Sequence, residues 1–158
     1  MIESKIKPKG DIELVIEYKN TPQKEVITFH NAILDTGREA LAKVLANEVG
    51  DVFELYISRL LFGNGGTVGG VPQVVNSNRT GLFGTTVANK SASSNIDQNA
   101  PSQVIFSSVL KFDDANGEDI NEIALQLANG DLYSMATFAG VSKTSDMQVT
   151  FGWRLSFV

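Results

Sequence analysis

His30 is the only histidine in the chain, and there is no cysteine. These two counts bound most of the chemistry the sequence could perform. A Ser-His-Asp relay would have to run through His30, and a Cys-His pair has no nucleophile. A three-histidine zinc site, a Cys-ligated zinc and a disulfide are all excluded. His30 falls in an expected strand beside Ile27 and Phe29, the setting of a structural or surface histidine. The run Gly63-Asn64-Gly65-Gly66-Thr67-Val68-Gly69-Gly70 invites comparison with a phosphate-binding loop. Such a loop ends in Gly-Lys-Ser/Thr and opens a helix, whereas here Val71-Pro72 follows. The glycines instead predict a backbone excursion with positive φ angles and close approach to a neighbouring segment. The carboxylates and amides of Asp113, Asp114, Asn116, Glu118 and Asp119 are crowded enough for Ca²⁺, but lack the alternate-ligand spacing of an EF-hand and read as a solvated turn. The paired carboxylates of a glycosidase are matched in space, and nothing in the sequence points to them. No catalytic, cofactor-binding or metal-binding residue is therefore assigned. The chain is expected not to be an enzyme and to take no cofactor and no small-molecule substrate.

Charge narrows the partners. Thirteen Lys and Arg against eighteen Asp and Glu leave a net charge of −5, with no basic cluster of the kind phosphate backbones select. Nucleic acid is not an expected partner. Nor is a membrane, because no apolar run is long enough to span one. The start, Met1-Ile2-Glu3-Ser4-Lys5, lacks the apolar stretch of a signal peptide. Synthesis and assembly in a cytoplasm is the corresponding expectation, and the absence of cysteine fits a reducing compartment.

The elements read as mainly β: an antiparallel sandwich of about eight strands with one α-helix packed on it. Residues 1–10 form an extended basic arm, and residues 11–158 a single domain with a long Gly/Asn/Ser-rich excursion at 63–102. Ile12, Leu14, Ile16 and Tyr18 alternate on one face of a strand, Asn20–Gln23 turn, and Glu25–His30 return. A capping box at Thr36 and Glu39 predicts a helix carrying Leu41, Val44, Leu45 and Val49 on one stripe, stopped by Gly50. That stripe is expected to lie across a sheet. Val52–Phe62 reads as a buried strand, Gly81–Val87 as a short one and Gln103–Phe112 as a mixed one. Ile120–Leu127 and Leu132–Phe138 flank the hairpin signal Asn129-Gly130. Met147, Val149, Phe151, Trp153, Leu155 and Phe157 alternate through the last strand. Those six side chains bury on the order of 10 kcal/mol of transfer free energy before entropy is counted.

The order of short motifs carries a resemblance across nearly the whole chain. Asn121-Glu122-Ile123-Ala124-Leu125 is followed by Asn129-Gly130-Asp131-Leu132-Tyr133, Ala136-Thr137-Phe138, Lys143-Thr144 and the closing Val149–Phe157 strand. Upstream come the hairpin, Asn31, Thr36-Gly37-Arg38, Leu61-Phe62-Gly63-Asn64-Gly65-Gly66-Thr67 and a spacer from Pro72 to Phe83. This pattern resembles small virion structural proteins of tailed bacteriophages, including tail-collar and tail-fibre modules. Ala124 stands where a glycine is common. The resemblance implies a non-enzymatic part present in many copies in the virion, docking on the tail, neck or fibre side. A capsid decoration protein stabilising the head is the alternative. A carbohydrate-binding sandwich, with Tyr56 and Tyr133 as candidate stacking residues, is a remote one. Expected partners are copies of the chain itself, as a trimer or ring, and other virion proteins. The expected assembly interface is Lys5, Lys7 and Lys9 in the arm, with Asn64, Gly66, Val71, Pro72 and Phe83 in the excursion. The excursion is expected to become ordered on assembly.

Overall fold

The computed structural model describes residues 8–48 and 52–157. Among the described residues are twelve strands, one α-helix and one short 3-10 turn. Two five-stranded antiparallel sheets face each other. The first runs β2 (Lys24–His30), β1 (Pro8–Tyr18), β12 (Met147–Phe157), β9 (Gln103–Leu110), β8 (Ser93–Asn95). The second runs β3 (Ala32–Ile33), β11 (Leu132–Ser142), β10 (Asp119–Leu127), β4 (Ile57–Gly63), β7 (Thr86–Ser91). A small hairpin, β5 (Thr67–Val68) with β6 (Val71–Pro72), is laddered to neither sheet but packs against β11. The chain changes sheet at the β2–β3 and β7–β8 corners, so each pair of neighbouring edges is one continuous run. The expected count of about eight strands was low because β3, β5, β6 and β8, each two or three residues long, carry no period of their own.

The alternating strands behave as their pattern requires. Ile12, Leu14 and Ile16 of β1 and Val149, Phe151, Trp153 and Leu155 of β12 are all buried. Trp153 pairs across the ladders with Ile12 on one side and Phe106 on the other. The sheets meet through Phe62 against Phe151, ring centroids 4.5 Å apart, and Phe29 stacked on Phe138 at the same distance. Strand β1 already begins at Pro8, so Pro8, Lys9 and Gly10 of the expected arm are laddered against Phe157, Ser156 and Leu155. The rest of the arm, with Lys5 and Lys7, lies outside the described residues.

The helix α1 spans Asp35–Ala46 and departs from its sequence reading in three ways. Its N-cap is Leu34 with no side-chain cap; the Thr36 hydroxyl donates instead to the Leu132 carbonyl. It ends at Asn47, a left-handed residue whose N–H bonds back to Val44, rather than at Gly50, which is outside the described residues. Its buried residues are Gly37 and Ala40, while Val44 and Leu45 are exposed. The small side chains explain the rotation. A Cβ at Gly37 would lie 2.2 Å from the Tyr133 carbonyl oxygen, so the helix seats its glycine on the β11 backbone and turns its aliphatic stripe outward. The expected strand from Val52 begins with a 3-10 turn over Val52–Leu55, and β4 starts only at Ile57. The expected strand at Gly81–Val87 is displaced to β7.

Lys143 is 1% exposed, yet its Nζ donates only to Asn116 Oδ1 at 2.9 Å and the Thr144 carbonyl at 3.0 Å. It thereby closes the acidic turn. Within that turn Asp114 is occupied by Lys90 Nζ at 2.7 Å and the Lys111 N–H. Loss of hydration holds the Lys143 amine below its ordinary value of 10.5, against the opposing pull of Asp114, Asp113 and Asp146. Between the folded and unfolded values the unfolded chain binds more protons, so this group adds stability as pH rises through that window. Tyr133 and Tyr18 are shifted upward, mainly by burial, and act in the opposite direction above pH 10. The test is therefore a difference. The unfolding free energy of the wild type minus that of Lys143→Met should increase as pH is raised towards 10.5. A flat difference from urea unfolding at several pH values would show the amine unperturbed.

Candidate docking surface

Strand β10 is buried almost without interruption from Ile120 to Leu125, which a one-sided sheet cannot produce. Its inner face meets the first sheet through Ile120, Ile123 and Leu125. Its outer face carries Ala124, packed with Leu34, Leu61, Leu132 and Met135 beneath Val75, Leu82 and Phe83. The excursion is the cover. It is part of the domain's own packing, held to the outer face by two adjacent polar side chains.

The first is Glu122, 0% exposed. Its Oε1 accepts the N–H groups of Gly65 (2.9 Å) and Gly84 (2.8 Å), and its Oε2 that of Phe83 (2.7 Å). A buried carboxylate is costly unless its lone pairs are filled, and here backbone donors from both limbs of the excursion fill them. The second is Asn121, whose Oδ1 accepts the Gly66 N–H at 2.6 Å and whose Nδ2 donates to Asn64 O and Thr67 Oγ1. The approach is so close that a Cβ on Gly66 would sit 2.2 Å from the Asn121 carbonyl oxygen. The glycine run thus serves the close approach and the positive φ angles read from it: Gly69 and Gly70 have φ of 58° and 77° and turn the β5–β6 hairpin.

The eight residues expected at an interface separate into distinct places. Gly66 is buried under Asn121. Phe83 is partly buried, its ring capped by the Arg79 guanidinium 3.6 Å from the centroid. Asn64 is exposed but uses its Oδ1 to accept the Thr85 N–H. These three fix the shape of the excursion. Val71 and Pro72 lie at the hairpin and are exposed, and Lys9 is exposed at the start of β1. Only Val71 and Pro72 are adjacent on one surface. Lys5 and Lys7 are outside the described residues.

Two apolar surfaces are exposed, of which the sequence pointed to part of the first, through Val71 and Pro72, and not to the second. At the hairpin, Val68, Val71 and Val74 are 67%, 66% and 82% exposed. At the end of the sandwich, Leu41 and Val44 of α1 face Tyr56, Ile96, Val104 and Phe157 across a groove of about 360 Å³. Tyr56 and Ile96 are exposed, and Leu45 stands next to the groove on the helix. Tyr133, the other candidate stacking aromatic, is buried. The signals were present: valines at a Gly-Gly turn have no core to enter, and a glutamate inside an apolar strand needs a partner. His30 is at the open end of β2, bonded to Asp11 at 2.7 Å, with no role in either surface.

Residues 27–155 match the family model described as phage tail-collar fibre protein, N-terminal. No curated protein and no solved structure matches the chain.

Proposed function

The chain belongs to the phage tail-collar fibre protein N-terminal family, and from that premise we propose that it is a non-enzymatic tail component that docks on the particle in many copies. One observation carries the mode of action. The excursion is clamped to the second sheet by Glu122 and Asn121 while its hairpin presents Val71 and Pro72 outward. A clamped backbone that displays bare aliphatic side chains is pre-organised for burial against another protein, and loses little entropy on docking. Lys9, exposed at the start of β1, and Lys5 and Lys7 before it would supply charge contacts to the same assembly. The chemistry supports docking over catalysis: the sole histidine is exposed on β2 beside Asp11, and in the acidic turn Asp114 is taken up by Lys90 and the Lys111 N–H.

Immunogold labelling of virus particles tests the address. Gold at the tail, collar or fibres is the expected result. Gold spread over the head would make the chain a capsid decoration protein. No label on intact or opened particles would overturn the virion reading.

A further inference from the structure

We propose that Lys143 and Asn116 form an intramolecular amide bond after folding, a covalent staple between two crossovers at one end of the sandwich. The inference goes beyond the tail reading and does not depend on it. Residues 111–118 carry the chain from β9 in the first sheet to β10 in the second, and residues 143–146 carry it back from β11 to β12. Two backbone hydrogen bonds tie these crossovers together. The Gly117 N–H donates to the Lys143 carbonyl and the Lys143 N–H to that of Glu118, both at 2.9 Å. Lys143 is thereby fixed beside the turn that carries Asn116.

The amine is set up as a nucleophile. A buried lysine is ordinarily paired with a carboxylate, yet among the described residues the Lys143 Nζ bonds only to Asn116 Oδ1 and the Thr144 carbonyl. Two acceptors suit a neutral amine, which has two N–H groups. An ammonium would leave its third unpaired on a side chain only 1% exposed. The neutral form keeps a reactive lone pair, and loss of hydration favours that form. The charges near the amine are Asp113, Asp114, Asp146 and Lys19. Asp114 is taken up by Lys90 and the Lys111 N–H, and Asp146 by the Thr144 hydroxyl. Asp113, exposed in the same turn, is left to carry a proton.

The carboxamide is the electrophile. Asn116 Nδ2 donates to the Phe112 carbonyl at 2.9 Å, and Oδ1 lies 2.9 Å from the amine. Cγ is one C=O bond, ~1.23 Å, beyond Oδ1. A turn about the soft χ2 brings it to the ~3–3.5 Å of a near-attack geometry. The Nζ lone pair then attacks Cγ and a Nζ–Cγ bond forms. One proton passes from Nζ through Asp113 to Nδ2, the Cγ–Nδ2 bond breaks, and ammonia leaves. No oxidant or cofactor enters the balance. In a chain without cysteine, the bond restricts the unfolded state as a disulfide does elsewhere. The pH dependence given above belongs to the amine before this step, since an amide does not titrate.

Mass spectrometry of the full chain tests this directly. The intact mass should fall short of the sequence value by one ammonia. After denaturation, a glutamate-specific protease cuts at Glu118 and Glu122, both between the linked residues. The piece holding Asn116 and the piece holding Lys143 should nevertheless stay joined. Asn116→Ala and Lys143→Arg should each restore the full mass and let the pieces separate. Asn116 is exposed, so its alanine variant should fold with unchanged circular dichroism. A wild-type chain of full mass would overturn the proposal. So would a chain that has lost ammonia but whose pieces separate, because that pattern marks a cyclic imide at Asn116-Gly117. A link that persists in Asn116→Ala would overturn it as well.

Discussion

Trp153→Ala is expected to lower the unfolding free energy by about 3–5 kcal/mol, the usual cost of truncating a buried aromatic. Trp153 is 0% exposed in the middle of the first sheet, laddered to β1 at Ile12 and to β9 at Phe106. A single domain commonly has about 5–15 kcal/mol in total, so much of the cooperative fold would be lost at 37 °C. The cause is cavity and lost transfer energy rather than a lost hydrogen bond, because the Nε1 bonds to no group among the described residues. Trp153→Phe should therefore be far milder than the alanine variant. Urea unfolding followed by circular dichroism reads both. An alanine variant within ~1 kcal/mol of wild type would show that β12 does not anchor the fold.

Glu122→Ala should release the excursion while leaving the sandwich folded. Three backbone N–H groups lose their acceptor at once, and each buried donor left unpaired costs about 1–3 kcal/mol. Relaxation of the loop into water limits the measured loss to roughly 2–4 kcal/mol. Glu122→Gln should do almost as much harm. With three donors shared between its two oxygens, the site leaves no place for an amide NH₂ that does not face an N–H. Limited trypsin digestion gives the localised readout, since Arg79 lies in the excursion outside every strand whereas Lys90 is laddered into β7. Wild type should resist cleavage at Arg79, and both variants should be cut there first. Unchanged resistance would mean that Val75, Leu82 and Phe83 hold the segment without the carboxylate.

Much of the framework was legible in the sequence. The period of two in β1 and β12 predicted both strands and which side chains face inward, because a sheet with one covered face enforces that alternation. Asn129-Gly130 marked the β10–β11 connection, with Gly130 at φ 97°. The helix was found but its orientation was misread. Periodicity counts aliphatic side chains, whereas docking was decided by Gly37 and Ala40, whose small size lets the helix touch the β11 backbone. The Gly/Asn/Ser-rich stretch at 63–102 was expected to wait for a partner before ordering, whereas it contains the sheet strands β7 and β8 and a segment packed on the outer face of the second sheet. Its anchor is a carboxylate some 40 to 60 residues away in sequence, and no local pattern encodes that separation.

The candidate site divides along the same line. Residue types alone removed catalytic cysteine, histidine clusters and phosphate loops, since these chemistries require particular atoms that the chain lacks. Motif order pointed to the tail-collar fibre family. Which of Asn64, Gly66, Val71, Pro72 and Phe83 can meet a partner was decided only by the fold. Burial depends on which face the excursion turns to the sheet, and that choice is made by hydrogen bonds between segments distant in sequence. The groove beside α1 likewise exists only in three dimensions, because its walls come from α1, the lead-in to β4 and strands of both sheets, brought together by the packing of the two sheets and by one glycine on the helix.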